Sequence, residues 1–406
     1  MIDATRRELI GGVVGTGLAA AVPAGAQAVA SPAPITAPER AQRLERAREL
    51  MDRHRIDAIL IEPGSSLVYF TGIEWGRSER PTLALLPRRG DPVVLTPFFE
   101  RPSVRESLKI PVELIVWQED EQPLGVLAAA MAKRGLARAA IGIEENVRWF
   151  IPAALREALP GVRLVGAAPV VRGCRMRKSS AELGLMKRAA DVTVAAYREV
   201  VPRLREGMTP AEVSALMAAA HQAASARHLF ALVLMGEAAA YPHGSGKPQR
   251  LKPGEAVLMD CGCSVEGYQS DISRTIVLGS VPGEVRSVWE TVAEGQHVAM
   301  AAAKPGAPAG SVDDAVRRFY ELRGFGPGYQ LPGLSHRTGH GIGLDGHEPV
   351  NLVHGETAPL APGMCFSNEP GIYLPGKFGV RLEDCFWMTG DGPRWFSEPQ
   401  PSIDRV

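Results

Sequence analysis

At 406 residues and 45% hydrophobic content, the chain is long enough to pack two domains. Its 45 basic and 45 acidic side chains cancel, which excludes the basic stripe of a general nucleic-acid binder. No run of about 18 strongly apolar residues occurs, so no membrane span is expected in the mature chain, and five cysteines without a spaced framework do not make a disulfide scaffold.

Thr5-Arg6-Arg7-Glu8-Leu9-Ile10 opens the chain, followed by Gly/Ala/Val-rich sequence to Ala30. A charged start, a mildly apolar middle and small residues near Ala26 to Ala30 read as a signal peptide over 1–30. The paired arginines resemble the twin-arginine export signal, which implies a periplasmic or otherwise exported protein. Residues 31–38, rich in proline and alanine, read as a linker. From Glu39 helix and strand patterns alternate. Leu44, Ala47, Leu50 and Met51 form one helical face ahead of a strand at Asp57–Ile61. Further strands are expected at 82–86, 93–96, 112–117 and 139–143, with helices near 123–134 and 147–159. This is an α/β domain over 39–171, without a glycine-rich phosphate loop.

The second domain is expected over 172–406. Ser179-Ser-Ala-Glu182 is a capping box for a helix whose buried stripe runs Leu183, Met186, Ala190, Val194, Tyr197 and Val201. Thr209-Pro-Ala-Glu212 starts another helix, with proline at its first position. A strand at 229–235 leads to the loop Tyr241-Pro242-His243-Gly244. Two more helices are expected at about 283–303 and 311–323, the latter opening with Ser311 and Asp314.

Two hairpins carry the chemistry. The first runs from Ala256 through Asp260-Cys-Gly-Cys263 to a polar turn at Ser264–Gly267, and returns through Tyr268-Gln-Ser-Asp271 to Leu278. A turn centred between Val265 and Glu266 sets Asp260 opposite Asp271. Two carboxylates about 5 Å apart repel by roughly 3 kcal/mol at an effective dielectric of 20, so a positive charge should lie between them. The second hairpin pairs Glu369 with Glu383 across a Leu-Pro-Gly-Lys-Phe-Gly379 turn whose odd length permits a bulge. Between them lies Thr338-Gly-His340-Gly-Ile-Gly-Leu-Asp-Gly-His347-Glu348. Four carboxylates and one imidazole suit two divalent cations, and the oxygen-rich set favours manganese or cobalt over a thiolate zinc site. Cys261 and Cys263 point away from the face of Asp260 and read as small buried residues.

Asp260, Asp271, His340, Glu369 and Glu383, in that order and with those neighbours, resemble the pita-bread metallopeptidases: aminopeptidase P, prolidase and methionine aminopeptidase. Asp-x-Gly…Gly-Tyr-x-Ser-Asp-Ile-Ser-Arg-Thr, Gly-His-Gly-Ile-Gly…His-Glu, Glu-Pro-Gly-Ile-Tyr and Arg-Leu-Glu-Asp carry the likeness over roughly 175–390. Ser66-Leu-Val-Tyr-Phe-Thr-Gly72 resembles the amino-terminal domain of creatinases and aminopeptidase P. The resemblance implies a creatinase-like α/β domain, then a pita-bread α+β domain in two similar halves, in a homodimer. It implies two metal ions, manganese first with cobalt or zinc as alternatives, bridged by Asp271 and Glu383, with Asp260 on one ion and His340 and Glu369 on the other.

The activity implied is hydrolysis of a peptide on the amino side of proline by a metal-bridging hydroxide, as an Xaa-Pro dipeptidase or aminopeptidase. Glu369 would take the proton of the attacking water, His347 would donate to the tetrahedral oxyanion, and His243 would line the proline pocket. Arg381, on the strand face of Glu383, would either orient a substrate carboxylate or buttress the second hairpin. The alternatives on the same fold are a metal-dependent amidohydrolase of a small non-peptide amide and a catalytically silent peptide-binding module.

Overall fold

The computed structural model describes residues 32–406. The expected export segment at 1–30 lies outside them. A six-stranded sheet forms first, in the order Glu113–Trp117, Val93–Pro97, Leu83–Pro87, Ala58–Ile61, Ala140–Ile143, Arg163–Gly166. The pairs on either side of Leu83–Pro87 are antiparallel and the rest parallel. Its central strands are apolar at every position because both faces are covered. Leu60, Leu85 and Leu95 face the helices Pro123–Lys133 and Phe150–Ala158. Ile59, Ile61, Ala84 and Leu86 turn the other way, onto the helix Ala37–His54 and a core continuous with the second domain.

Four short elements of this domain escape the periodicity argument: the helices Ser65–Thr71, Arg101–Ser107 and Ala168–Arg175, and the strand Arg163–Gly166. None is longer than about two helical turns or four strand residues, too short for a period to register. The helix Ala168–Arg175 also runs across the boundary expected at Val171.

The second domain repeats one plan. Helices Ser180–Val200 and Pro210–Ala223, each with its capping box formed, precede the antiparallel strands Arg227–Met235, Ala256–Val265 and Ile272–Val277. Helices Gly283–Ala302 and Gly310–Leu322 precede a five-stranded sheet ordered Glu348–Leu352, Gly339–Gly341, Cys365–Asn368, Asp384–Thr389, Gly392–Trp395. The Ser180–Val200 helix buries more than one stripe, with Leu185, Ala189 and Val192 also inside, because it packs on the first domain and on the first hairpin together. Its Tyr197 hydroxyl lies 2.8 Å from the carbonyls of both Met259 and Ile272, anchoring both hairpin strands to the helix. Ser311 does not cap its helix: the chain turns helical at Gly310, and the Ser311 hydroxyl donates to the Pro308 carbonyl.

The hairpin registers correct the sequence expectation. Asp260 stands opposite Ser273, not Asp271, because the turn is Glu266-Gly267, both residues with positive φ (50° and 83°). That is the backbone a two-residue hairpin loop requires. Moving the turn by one residue moves the partner by two, so Asp271 stays on the same face as Asp260, on the diagonal. The second hairpin has no bulge. Asn368 pairs with Asp384 and Gly371 with Arg381, which leaves Glu369 and Glu383 opposed in one unbroken register.

Candidate metal centre

Local sequence explains how His340 is delivered. It lies on a three-residue strand pressed between two others: a Cβ at Gly339 would meet the Ser367 carbonyl at 2.1 Å, and one at Gly341 would meet that of Glu348 at 2.5 Å. Only glycine admits that approach. The imidazole is 1% exposed, and Nδ1 donates to the Gly341 carbonyl at 3.0 Å. That bond assigns the proton to Nδ1 and leaves the Nε2 lone pair facing Glu369 Oε1 at 3.5 Å and Asp271 Oδ2 at 3.7 Å.

The structure gathers the five expected residues. Asp260, Asp271 and Glu383 form one group and His340, Glu369 and Glu383 another, with ligand atoms within 4.8 Å of one another in each. A third group, Asp271, His340 and His347, overlaps them. Asp260 Oδ1 and Glu383 Oε1 are buried and accept no hydrogen bond. Buried carboxylate oxygens without donors cost free energy unless a cation takes them up, so the residues present fit divalent ions. No thiolate joins the set. Cys261 and Cys263 are buried on the opposite face, and the Cys385 thiol donates a hydrogen bond to the Asp271 carbonyl at 3.2 Å.

The electrostatics agree. Burial, then the charges of Asp260 and Glu369, holds Asp271 well above the carboxylate range, and burial with Asp271 does the same to Glu383. Burial pushes Glu369 up to about 7, against the pull of Arg381. Burial foremost, then His347, lowers His340 to about 3, so the imidazole is neutral at any working pH. Cation binding must therefore displace protons from carboxyls and none from His340, and affinity should rise as pH rises through about 7. Calorimetric titration of manganese in buffers of different ionisation enthalpy should show proton release at pH 6.5 that shrinks by pH 8. Release that is nil at pH 6.5 would remove this account of the site.

Arg381 is 2% exposed and pinned. Nη2 donates to Asp260 Oδ2 at 2.7 Å, Nε to Ser273 Oγ at 3.0 Å, and Nη1 to the Pro242 carbonyl and the Tyr373 hydroxyl at 3.0 and 3.1 Å. Ser273 in turn donates to Glu383 Oε2 at 2.8 Å. Of the two roles expected for Arg381, these contacts are those of a buttress.

His243 and His347 line the same cavity of about 380 Å³ as the five carboxylate and imidazole groups. So do His336 and Arg337, which the sequence reading passed over. Arg337 is half-buried, donating from Nη1 to Asn351 Oδ1 at 3.0 Å and from Nη2 to His347 Nδ1 at 2.9 Å. A guanidinium has no acceptor, so His347 Nδ1 is the acceptor and its proton resides on Nε2. His336 Nδ1 donates to the Arg337 carbonyl at 2.8 Å, so its Nε2 accepts from Tyr373 at 2.7 Å. Their proximity in sequence to His340 was the one available signal.

A buried pair behind the ligands was also missed as such, although both members stand in the motifs quoted above. Arg274 meets Asp384 at 2.7 and 3.1 Å and donates to the Glu383 carbonyl at 2.9 Å.

The donor set and the duplicated helix-pair-and-hairpin plan together define a metal-dependent hydrolase site. Residues 184–390 match metallopeptidase family M24, and residues 43–177 match the creatinase/prolidase N-terminal domain; the chain belongs to that family. It is therefore an α/β creatinase-type domain followed by a pita-bread domain, and membership implies a dinuclear metal site. It is 33% identical to a probable dipeptidase PepE of Mycobacterium tuberculosis, over 82% of this chain and 88% of that one. An Xaa-Pro dipeptidase of Lactobacillus delbrueckii subsp. lactis is 28% identical, over 89% and 98%. The crystal structure of dipeptidase PepE from Mycobacterium ulcerans superposes with a TM-score of 0.83 at 32% identity, covering 92% of this chain and 99% of that one. Among the described residues no helix is long and apolar enough to cross a membrane.

Proposed function

We propose that this peptidase hydrolyses Xaa-Pro dipeptides on the amino side of proline, with manganese as its working ion. The observation that carries the reading is the pairing of the ligand groups with a neutral His347 whose Nε2–H is free to donate in the same cavity. Asp260, Asp271, His340, Glu369 and Glu383 would hold two divalent cations, which when bound would supply Lewis acidity there. Glu369, facing His340 Nε2, takes the proton of the attacking water and passes it to the departing proline nitrogen. His347 stabilises the developing oxyanion. His243 lines the cavity next to Pro242, whose carbonyl is held by Arg381, and together they shape the wall against which the proline ring rests.

The length of the substrate turns on the second guanidinium. Arg381 commits four of its five N–H donors to Ser273, Pro242, Tyr373 and Asp260, whereas Arg337 keeps Nε and part of its fork free at the cavity wall. Arg337 is thus the group that reads the free carboxylate of a dipeptide. The relatives whose names specify dipeptides support the same length.

Manganese-loaded enzyme should turn over Ala-Pro faster than Ala-Pro-Ala, Ala-Ala or simple non-peptide amides. Arg337→Met should raise KM for Ala-Pro by about tenfold or more, the worth of a charge-assisted contact. It should leave KM for Ala-Pro-Ala unchanged, while kcat falls for both substrates alike because His347 Nδ1 loses its donor. Ala-Ala hydrolysed as fast as Ala-Pro would remove the proline preference, and an amide outpacing both would favour the amidohydrolase alternative.

A further inference from the structure

We propose that the amino-terminal domain positions His347 for catalysis by holding, through Asp345, the loop that carries it. The proposal rests on the reading of His347 as the oxyanion donor. His347 is itself exposed and lies in a loop between the strands Gly339–Gly341 and Glu348–Leu352, a location that by itself would leave the ring free to wander. The loop is instead tied from three directions. From the amino-terminal domain, the Ser65 hydroxyl donates to Asp345 Oδ1, and Arg175 Nη2 donates to Asp345 Oδ2 at 2.8 Å and to Glu348 Oε1 at 2.5 Å. Arg175 is steadied by donating from Nη1 to Ser66 Oγ at 3.1 Å.

Glu348 relays that grip to the backbone. Its carboxylate accepts from the amides of Leu344 and Asp345 at 3.0 and 3.3 Å, and Lys178 Nζ donates to its other oxygen at 2.9 Å. From the first hairpin, Gln269 donates to the carbonyls of Gly343 and Leu344 at 2.9 and 2.8 Å. Across the cavity, Arg337 holds His347 Nδ1. Residues on both sides of His347 are therefore fixed, and the ring itself is held only at Nδ1 and against His340, at a centroid separation of 3.9 Å.

The bland explanation is that these ion pairs merely dock one domain on the other. Two facts argue for more. Asp345 is 42% exposed in its side chain, so as a docking contact alone it would contribute little. And its contacts come from two separate elements of the amino-terminal domain, Ser65 and Arg175, converging on a residue two positions from His347.

Asp345→Ala in the manganese holoenzyme tests this without burying an orphan charge, since Arg175 keeps Glu348 and Ser66. A displacement of about 1 Å at a catalytic group costs on the order of 10- to 100-fold, so kcat for Ala-Pro should fall by that factor while KM and metal content hold. Asp345→Asn, which retains an acceptor for Arg175, should recover most of it. In a His347→Ala background Asp345→Ala should cost nothing further, the signature of two residues acting as one unit. An equal loss in both backgrounds, or no loss in the wild type, overturns the proposal. If His347→Ala itself leaves kcat unchanged, the oxyanion reading falls, and the crystal structure of the Asp345→Ala holoenzyme decides the positioning claim: a displaced ring upholds it, a ring in place overturns it.

Discussion

Asp271→Ala should leave the protein folded and without measurable hydrolysis of Ala-Pro, binding at least one ion fewer per chain. Asp271 belongs to both the carboxylate group with Asp260 and Glu383 and the group with His340, so its loss opens both sides of the site. Loss of metal-borne charge stabilisation raises the transition state by several kcal/mol, on the order of a 1,000-fold drop in rate. The stability effect runs in the other direction. In the metal-free protein Asp271 is held well above its ordinary range, so it binds a proton that the unfolded chain releases at a lower pH. Stability from such a group is present at low pH and lost as pH rises towards the folded value. Asp271→Asn removes that liability, and the metal-free variant should melt higher than metal-free wild type at pH 8 while failing to gain stability from manganese. Wild-type activity and ion content in Asp271→Ala would sink the assignment.

Arg274→Met should destabilise the holoenzyme by about 3–5 kcal/mol, because it leaves Asp384 charged and buried without its partner. Both side chains are almost wholly enclosed, Arg274 on the strand Ile272–Val277 and Asp384 on Asp384–Thr389, so the pair bolts one half of the catalytic domain to the other. Gln296, from the Gly283–Ala302 helix, adds a bond to Asp384 at 3.3 Å. Replacing both partners with apolar residues of similar volume should restore much of the loss. Urea denaturation of the two variants makes the comparison, and equal loss in both would mean that packing, not the uncompensated charge, sets the cost. Arg274 also donates to the Glu383 carbonyl, so the single variant should weaken metal binding as well.

The five ligand-type residues were legible because each stands in a motif whose spacing alternates with strand geometry. Asp260 and Asp271 remain on one face even though the turn falls one residue later than expected, since a period of two tolerates a shift of two. Capping boxes at Ser179 and Thr209 were likewise readable, being local chemistry within four residues. The short helix Ser65–Thr71 was not, since seven residues carry too little periodicity.

What the sequence by itself determined is the alternation that builds both domains, the donor set and the family it signals. What only the tertiary structure decided is which charge meets which. The sequence offers Arg381 alone as the guanidinium for a substrate carboxylate, and only the fold commits it to Asp260 and sets Arg337 at the cavity wall. The tie from Ser65 and Arg175 to Asp345 spans 280 and 170 positions of chain, respectively. No local period encodes such a contact, because burial and ion pairing over that separation depend on how whole sheets pack rather than on neighbours along the backbone.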